Sequence, residues 1–256
     1  MRIRYIISTM VFWGRQHRLS FEQECELLKT LGYGVELWPN TGGLEECLYD
    51  RRNWPRLASA TEGMLVSMRS RNDNPSTEQW IEQIECAKLL KANIVADLQS
   101  LRMKGRNTDN GDFAEETITM AENEGVQLCL ETGSLDILRE IGSKYDSVKY
   151  CLDTGFANCD PEHRFKQYVD VLAERTTHLH LAENCGHCDD HMPLGCSGGV
   201  KRGDWAYLLN TLNKYDNNVI GSLEMNPCTP VEMIRRSSSF LFDELKWPNR
   251  PKRMRE

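Results

Sequence analysis

The fold of this chain is decided by four short apolar runs: VQLCLE (126–131), VKYCLD (148–153), THLHLAEN (177–184) and VIGSLE (219–224). Continuous apolar runs of this length are typical of parallel strands, which are covered on both faces. Each run carries one polar residue at or near the end of its strand: Glu131, Asp153, His180 and Glu224. Three carboxylates and one imidazole delivered by successive strand ends predict a divalent-metal site.

Four earlier runs have the same character: RIRYIIS (2–8), GVELW (34–38), GMLVSMR (63–69) and ANIVADL (92–98). Helical patterns separate the eight runs, with predicted starts at Ser20, Ser76, Asp160, Asp204 and Thr229. Eight strands alternating with helices in 256 residues predict a single (β/α)8 TIM barrel domain over residues 1–256. A doubly wound open sheet is the alternative, but TMVFWGRQ, which follows the first run, is not the Gly-rich turn of that fold.

Composition restricts the class of protein. The net charge is −7, which argues against a general nucleic-acid binder, since such proteins carry a basic face. No apolar stretch approaches the ~20 residues that cross a bilayer, and the N-terminal sequence has no signal-peptide cleavage site. We therefore expect a cytoplasmic protein without membrane or nucleic-acid partners. Whether it forms a homo-oligomer is left open by the sequence.

Ten cysteines are many for a chain of this type. Cys25, Cys86, Cys129 and Cys151 lie inside apolar patterns and are expected to be small core residues. A loop carries Cys185, Cys188 and Cys196 together with His187 and His191, so half of a zinc site is one interpretation of this loop. Because no second CxxC pair is present, free thiols in a reducing compartment are the other interpretation.

The order of the motifs resembles the xylose-isomerase-like TIM barrel superfamily, which includes sugar isomerases and epimerases, inosose dehydratases and apurinic endonucleases. The resembling segments are GYGVELW, LCLETG, CLDTGFAN, HLHLAENCGHCDDHMPLG and SLEMNP, between residues 32 and 227. The resemblance implies one divalent ion bound by Glu131, Asp153, His180 and Glu224, with Mn²⁺ preferred and Mg²⁺, Co²⁺ or Zn²⁺ as alternatives. It also implies that Glu131 and Glu224 are catalytic. His178, deeper on the same strand face, is expected to be a hydrogen-bonded core histidine or a partner of the ligands.

The departures from the family pattern exclude one activity. Phe156 stands where the family has a histidine that holds substrate in epimerases and helps to bind an extra zinc in endonucleases. The second and third strand ends, VELWPN and VSMRSR, also lack the histidines that the endonucleases need. Asp189-Asp190-His191 resembles the element that completes the extra zinc site, but that site lacks a ligand here. A three-metal endonuclease is therefore rejected. Ile137 replaces a further glutamate that contacts substrate in the epimerases.

Five residues are assigned to the substrate-binding site: Trp38, Arg69, Phe156, Glu183 and His191. Trp38 would form an apolar or stacking wall, although a packed rim residue is an equal alternative. Arg69 would hold a carboxylate or phosphate group, or else form a surface salt bridge. Glu183 follows His180 in a slot where the family often has aspartate. The Gly-rich loop 184–203 suggests a lid over the barrel mouth.

These observations predict a metal-dependent isomerase or epimerase that acts on a small keto-sugar or polyol derivative. A metal that chelates a hydroxyl and an adjacent carbonyl acidifies the intervening C–H bond and stabilises a metal-bound enediolate. Two carboxylates on opposite sides of the carbon can then remove and return the proton. A lyase on the same scaffold, either an inosose-type dehydratase or a C-glycoside-cleaving subunit, is the alternative. A barrel without catalytic activity and a DNA-repair endonuclease are less favoured.

Overall fold

The computed structural model describes residues 1–13, 19–39, 47–71, 74–103, 111–227 and 229–251. Within these residues eight parallel strands close into a barrel in sequential order, and the first strand pairs with the eighth. The predicted (β/α)8 barrel is therefore confirmed, and the doubly wound open sheet is wrong. No helix in the described part of the chain is long and apolar enough to cross a membrane.

The strands follow the eight apolar runs, with ends that differ by up to three residues. They are β1 (Arg2–Ser8), β2 (Gly34–Leu37), β3 (Val66–Arg69), β4 (Asn93–Ala96), β5 (Leu128–Glu131), β6 (Lys149–Asp153), β7 (Thr176–Leu181) and β8 (Asn218–Leu223). Glu131 and Asp153 are the last residues of their strands, His180 is the last but one of β7, and Glu224 follows β8 directly.

The helices lie between the strands. They are α1 (Phe21–Leu31), α2 (Trp54–Ala60), α3 (Thr77–Leu90), α4 (Gly111–Asn123), α5 (Leu135–Lys144), α6 (Thr154–Cys159), α7 (Phe165–Leu172), α8 (Arg202–Leu212) and α9 (Val231–Ser239). Short 3-10 turns occupy Thr9–Phe12, Arg51–Asn53 and Ala173–Arg175, and a π-helical turn, Phe240–Glu244, continues α9.

Local signals set two of the five predicted helix starts, those at Ser20 and Ser76. Ser20 and Ser76 each accept a hydrogen bond from the backbone of the third helical residue, and both capping boxes are complete. Asp160 does not start a helix, contrary to the prediction, because its carboxylate accepts from the backbone of Glu162 and from the Tyr168 hydroxyl. The helix begins later, at Phe165. Asp204 lies inside the first turn of α8 and does not cap it.

A polar layer fills the barrel interior next to the strand ends. Glu36 on β2 lies 3.0 Å from the ring of His178 on β7, although β2 and β7 are not neighbours in the barrel. Contacts between non-neighbouring strands must cross the barrel interior. This polar layer therefore lies directly beneath the four strand-end residues that the sequence singles out.

Candidate metal centre

The four predicted ligands converge on one point. Each of Glu131, Asp153, His180 and Glu224 offers a ligand atom, and these atoms all lie within 4.8 Å of one another. The neighbouring order of β5, β6, β7 and β8 brings them together, and the register pairs Asp153 directly with His180. All four side chains are buried. The structure thus assembles the predicted ligand set, and metal binding by it stays a prediction.

His180 presents one ring nitrogen to the carboxylates. Its Nδ1 atom lies 2.7 Å from Oε1 of Glu131 and 2.9 Å from Oε2 of Glu224. Burial by itself lowers the pKa of His180, but nearby groups, among them the carboxylates of Glu224 and Glu36, outweigh burial and raise this pKa well above its ordinary value. The Nδ1 position therefore carries a strong demand for positive charge, which a proton or a metal ion can meet.

Glu36 is a site residue that the sequence analysis missed. Its side chain is fully buried, and one of its oxygens lies 3.1 Å from Nε2 of His180. Burial would raise the pKa of Glu36, but the His180 and His178 rings hold it well below its ordinary value. An ionised carboxylate only accepts hydrogen bonds, so Nε2 of His180 donates to Glu36, and Nδ1 is the nitrogen that faces the ligand carboxylates, where a bound cation would replace its proton. The one available signal was a glutamate inside the apolar run GVELW.

A second histidine supports this arrangement from below. Nδ1 of His178 lies 3.2 Å from the side-chain nitrogen of Asn93, and Nε2 lies 3.0 Å from Glu36. The Asn93 nitrogen only donates, so His178 accepts at Nδ1 and carries its proton on Nε2, facing Glu36. The hydroxyl of Ser222 donates to the other Glu36 oxygen. His178 is thus a fully buried partner of the layer beneath the ligands, as the sequence predicted.

Arg69 holds one oxygen of Glu131. Its Nη2 atom donates to Oε2 of Glu131, across the strand that lies between them. Burial raises the pKa of Glu131, but the Arg69 guanidinium and the hydrogen bond from His180 outweigh it and lower this pKa to about 2. Arg69 is only 7% exposed, so a surface salt bridge, one of the two predicted roles, is wrong. The pair is a buried part of the site.

Asp153 and Glu224 have different surroundings. Oδ1 of Asp153 accepts hydrogen bonds from the backbone N–H groups of Gly155 and Phe156, because Asp153 caps α6. Its Oδ2 atom faces His180 at 3.8 Å. Oε2 of Glu224 is buried, and although Nδ1 of His180 lies 2.9 Å away, no described residue donates to it with hydrogen-bond geometry.

These donors meet the requirements of a divalent cation. Three carboxylates would repel one another in a buried site without positive charge, and an orphaned carboxylate oxygen such as that of Glu224 marks where such a charge is needed. Oxygen and imidazole donors suit Mn²⁺, Mg²⁺, Co²⁺ or Zn²⁺. Cys151 lies close to both histidines, but burial raises the pKa of its thiol and keeps it neutral.

A second group of acidic and imidazole side chains adjoins the first. Asp153, Asp189 and His191 also bring ligand atoms within 4.8 Å of one another. Burial and the neighbouring Asp153 raise the pKa of Asp189 to about 7. His191, predicted to bind substrate, places Nδ1 at 3.8 Å from Oε2 of Glu224, and its backbone has a φ of 48°. His191 therefore lies at the edge of the ligand cluster.

The other predicted substrate contacts are distributed around the same mouth. Trp38 lies half-buried beside Arg69, whose Cζ atom is 5.4 Å from the Trp38 ring centre. Phe156 packs edge-on against Tyr168, with 6.1 Å between ring centres. Glu183 is fully buried, and its Oε2 atom accepts from the backbone of Ser197 and Gly198 and from the Ser197 hydroxyl. The other oxygen of Glu183, Oε1, has no partner among the described residues.

The predicted lid loop is anchored at its second half. Glu183 and Met192 form two backbone hydrogen bonds, and the Ser197 hydroxyl donates to the carbonyl of Asn184. The longest exposed stretch is residues 185–188, and Cys196, Gly198 and residues 201–203 are also exposed. The three loop cysteines are exposed free thiols, and the described residues place none of them in a group of three metal-binding side chains. The half zinc site therefore has no support from the geometry of this loop.

Comparisons with known proteins agree with the fold. A family model described as xylose isomerase-like TIM barrel matches residues 48–243. The TTHB071 protein from Thermus thermophilus, solved after soaking with ZnCl₂, has a TM-score of 0.66 and 17% identity over 95% of this chain and 99% of that chain. A xylose isomerase domain protein from Planctomyces limnophilus has a TM-score of 0.62 and 13% identity over 96% of each chain. Sequence identities this low are evidence for a shared fold and for nothing more. A search of curated proteins finds no match.

Proposed function

The chain belongs to the xylose isomerase-like TIM barrel family, and from this premise we propose that it is a divalent-metal-dependent isomerase or epimerase of a small keto-sugar or polyol derivative. The observation that carries the proposal is the convergence of Glu131, Asp153, His180 and Glu224 within 4.8 Å, with an unpartnered oxygen on Glu224. These four residues would hold one ion, with Mn²⁺ as the first choice.

The bound ion would act as a Lewis acid that acidifies a C–H bond beside a carbonyl group. Glu224, one of the two predicted acid–base residues, would take up that proton. Glu131, the other predicted acid–base residue, has one oxygen near His180 and the other on Arg69. Glu36 and His178 keep His180 oriented. Glu183 and His191, two of the predicted substrate contacts, would form hydrogen bonds with substrate hydroxyl groups.

A lyase on the same scaffold is the second candidate. A two-base epimerase needs a carboxylate with a free oxygen on each side of the substrate carbon. Arg69 occupies Oε2 of Glu131, so Glu224 is the better placed of the two carboxylates. Removal of one proton followed by loss of a β-substituent requires a single base. This asymmetry is the observation that favours elimination.

The first experiment is elemental analysis of purified wild type and of the variants Glu131→Gln and His180→Ala, with His163→Ala as the control. His163 lies away from the cluster and pairs with Asp160. About one metal ion per chain in wild type and control, lost from both ligand variants, would support the centre. Metal retained in both ligand variants would overturn it.

The reaction is tested in deuterated water with keto-sugars and the Mn²⁺-loaded protein. Exchange of a carbon-bound proton without loss of any group supports isomerisation or epimerisation. Exchange accompanied by release of water or of an aglycone supports the lyase. No exchange and no release from a metal-loaded protein would favour a barrel without catalytic activity.

A further inference from the structure

Arg69 has hydrogen-bonding capacity that the protein does not use. It lies at the end of β3, where only 7% of the residue is exposed. Its Nη2 atom donates to Glu131, but Nε and Nη1 are buried and have no acceptor among the described residues. A guanidinium carries five N–H donors and never accepts. Two of its three nitrogens are therefore buried without a partner among the described residues.

Trp38 extends this donor surface. Its ring lies beside the guanidinium, with 5.4 Å from Cζ of Arg69 to the ring centre. The indole Nε1 atom is buried and also lacks an acceptor in the described part of the chain. Arg69 and Trp38 can only donate hydrogen bonds. The side of the site formed by the ends of β2 and β3 thus offers donors alone.

The residues that follow β7 and β8 offer hydrogen-bond acceptors instead of donors. Two buried acceptors follow β7 and β8, namely Oε1 of Glu183 and Oε2 of Glu224. The described residues supply no donor for either oxygen. Hydroxyl groups of a substrate can donate to these oxygens. Arg69 and Trp38 themselves supply no acceptor for a proton of a group bound between them, so a group that only accepts hydrogen bonds fits these two side chains better than a hydroxyl.

We infer that Arg69, with Trp38, binds a carboxylate of the substrate, so that the substrate is a sugar acid or a related hydroxy acid rather than a neutral sugar. The inference rests on the proposed function and names its substrate class. A carboxylate accepts at both oxygens, and its charge strengthens each bond to a guanidinium. Glu131 does not saturate Arg69, because only its Oε2 atom contacts the guanidinium while Oε1 faces His180. A phosphate would bring three oxygens to a surface with few donors left.

The test uses calorimetric titration of the Mn²⁺-loaded protein with three acid–neutral pairs: glucuronate and glucose, galacturonate and galactose, and gluconate and glucitol. Glucose 6-phosphate tests the phosphate alternative. The variants are Arg69→Gln, which loses the charge, and Arg69→Lys, which keeps it. Arg71→Gln is the control, since Arg71 is equally buried but pairs with Asp50 and Glu82. Metal content is measured for every protein.

We expect at least one acid to bind wild type about tenfold more tightly than its neutral partner, a preference worth about 1.4 kcal/mol. Arg69→Gln should abolish the preference, Arg69→Lys should keep part of it, and Arg71→Gln should keep all of it. Equal binding of acids and neutral partners, no binding, or a preference unchanged in Arg69→Gln would overturn the inference. Tighter binding of glucose 6-phosphate that depends on Arg69 would overturn it in favour of phosphate.

Failure of this inference can be told apart from failure of the proposed function. An acid that binds through Arg69 but shows neither proton exchange nor elimination would contradict the proposed reaction and leave the carboxylate site standing. Proton exchange on neutral keto-sugars without any Arg69-dependent preference for acids would contradict the carboxylate site and leave the proposed reaction standing.

Discussion

Glu36 connects His180, a predicted metal ligand, to the barrel interior. It contacts Nε2 of both His178 and His180 and fixes which nitrogen of His180 faces the cluster. In Glu36→Gln the amide can donate as well as accept, so the His180 proton is no longer confined to Nε2. We expect about 10- to 100-fold weaker Mn²⁺ binding, the usual cost of losing such a partner. Titration of the metal-free protein with Mn²⁺ measures this change.

The control for Glu36 is Glu62→Gln, an exposed carboxylate outside the ligand cluster. Its Mn²⁺ affinity should equal that of wild type. If Glu36→Gln binds Mn²⁺ within about twofold of wild type, Glu36 does not orient His180 in the way that the contacts suggest.

Asp189 makes stability depend on pH. Burial and Asp153 raise its pKa from 3.8 to about 7. The folded protein therefore retains a proton that the unfolded chain releases. The contribution of protonated Asp189 to the free energy of unfolding is present at low pH and declines as pH rises from about 4 to about 7. In EDTA, which removes metal, the free energy of unfolding of Asp189→Asn should exceed that of wild type by about 1–2 kcal/mol at pH 7. The two proteins should be equally stable near pH 4.

Urea unfolding at the two pH values measures this difference. A metal-free Asp189→Asn protein that is less stable than wild type at pH 7 would show that the carboxylate is stabilised in the folded state by its neighbour His191. That outcome would contradict the expected sign.

The loop after β7 is the element with the sharpest steric requirement. A Cβ atom added at Gly199 would lie 1.6 Å from the carbonyl oxygen of Asn184, so the loop must shift to accept alanine. We expect Gly199→Ala to lower the free energy of unfolding by about 1–3 kcal/mol. It should also weaken substrate binding, because Glu183 anchors the same segment. The chemical denaturation curve and the substrate KM measure the two effects.

Gly203→Ala is the matched control, because nothing lies within 4 Å of a Cβ atom at that position in the first turn of α8. It should be neutral or stabilising by up to about 1 kcal/mol, as alanine is favoured in helices. Equal effects of the two substitutions would mean that the loop adapts freely and is not held against Asn184.

The elements that the sequence predicted well are those whose signals are local. The capping boxes at Ser20 and Ser76 depend on residues three apart, and the strands follow continuous apolar runs. The start at Asp160 failed because Tyr168, eight residues away, draws its carboxylate into another hydrogen bond. The four strand-end residues were found because neighbouring strands place them together. The Glu36 and Arg69 contacts were missed because they join strands that are not neighbours, and no spacing in the sequence encodes such pairs.

At the scale of the whole molecule, the candidate centre depends on both halves of the chain. The ligands lie at the ends of β5 to β8, whereas Glu36 and Arg69 come from β2 and β3. The barrel closes by pairing β1 with β8 over six residue pairs, from Arg2–Asn218 to Ile7–Leu223. The second half therefore supplies the predicted ligands, and the first half supplies two residues that contact them. From this dependence we expect the chain to unfold as one domain and the metal to stabilise all of it.

The corresponding measurement is thermal unfolding with and without Mn²⁺, followed by far-UV and near-UV circular dichroism. An ion that binds the folded state alone adds about 2.7 kcal/mol at 100 times its Kd, which raises Tm by roughly 5–10 °C for a chain of this size. Both signals should change in a single transition and shift together. Glu131→Gln should abolish the shift, whereas His163→Ala should preserve it. Two separated transitions, of which Mn²⁺ moves only one, would show that the ligands belong to a part of the chain that folds independently of the rest.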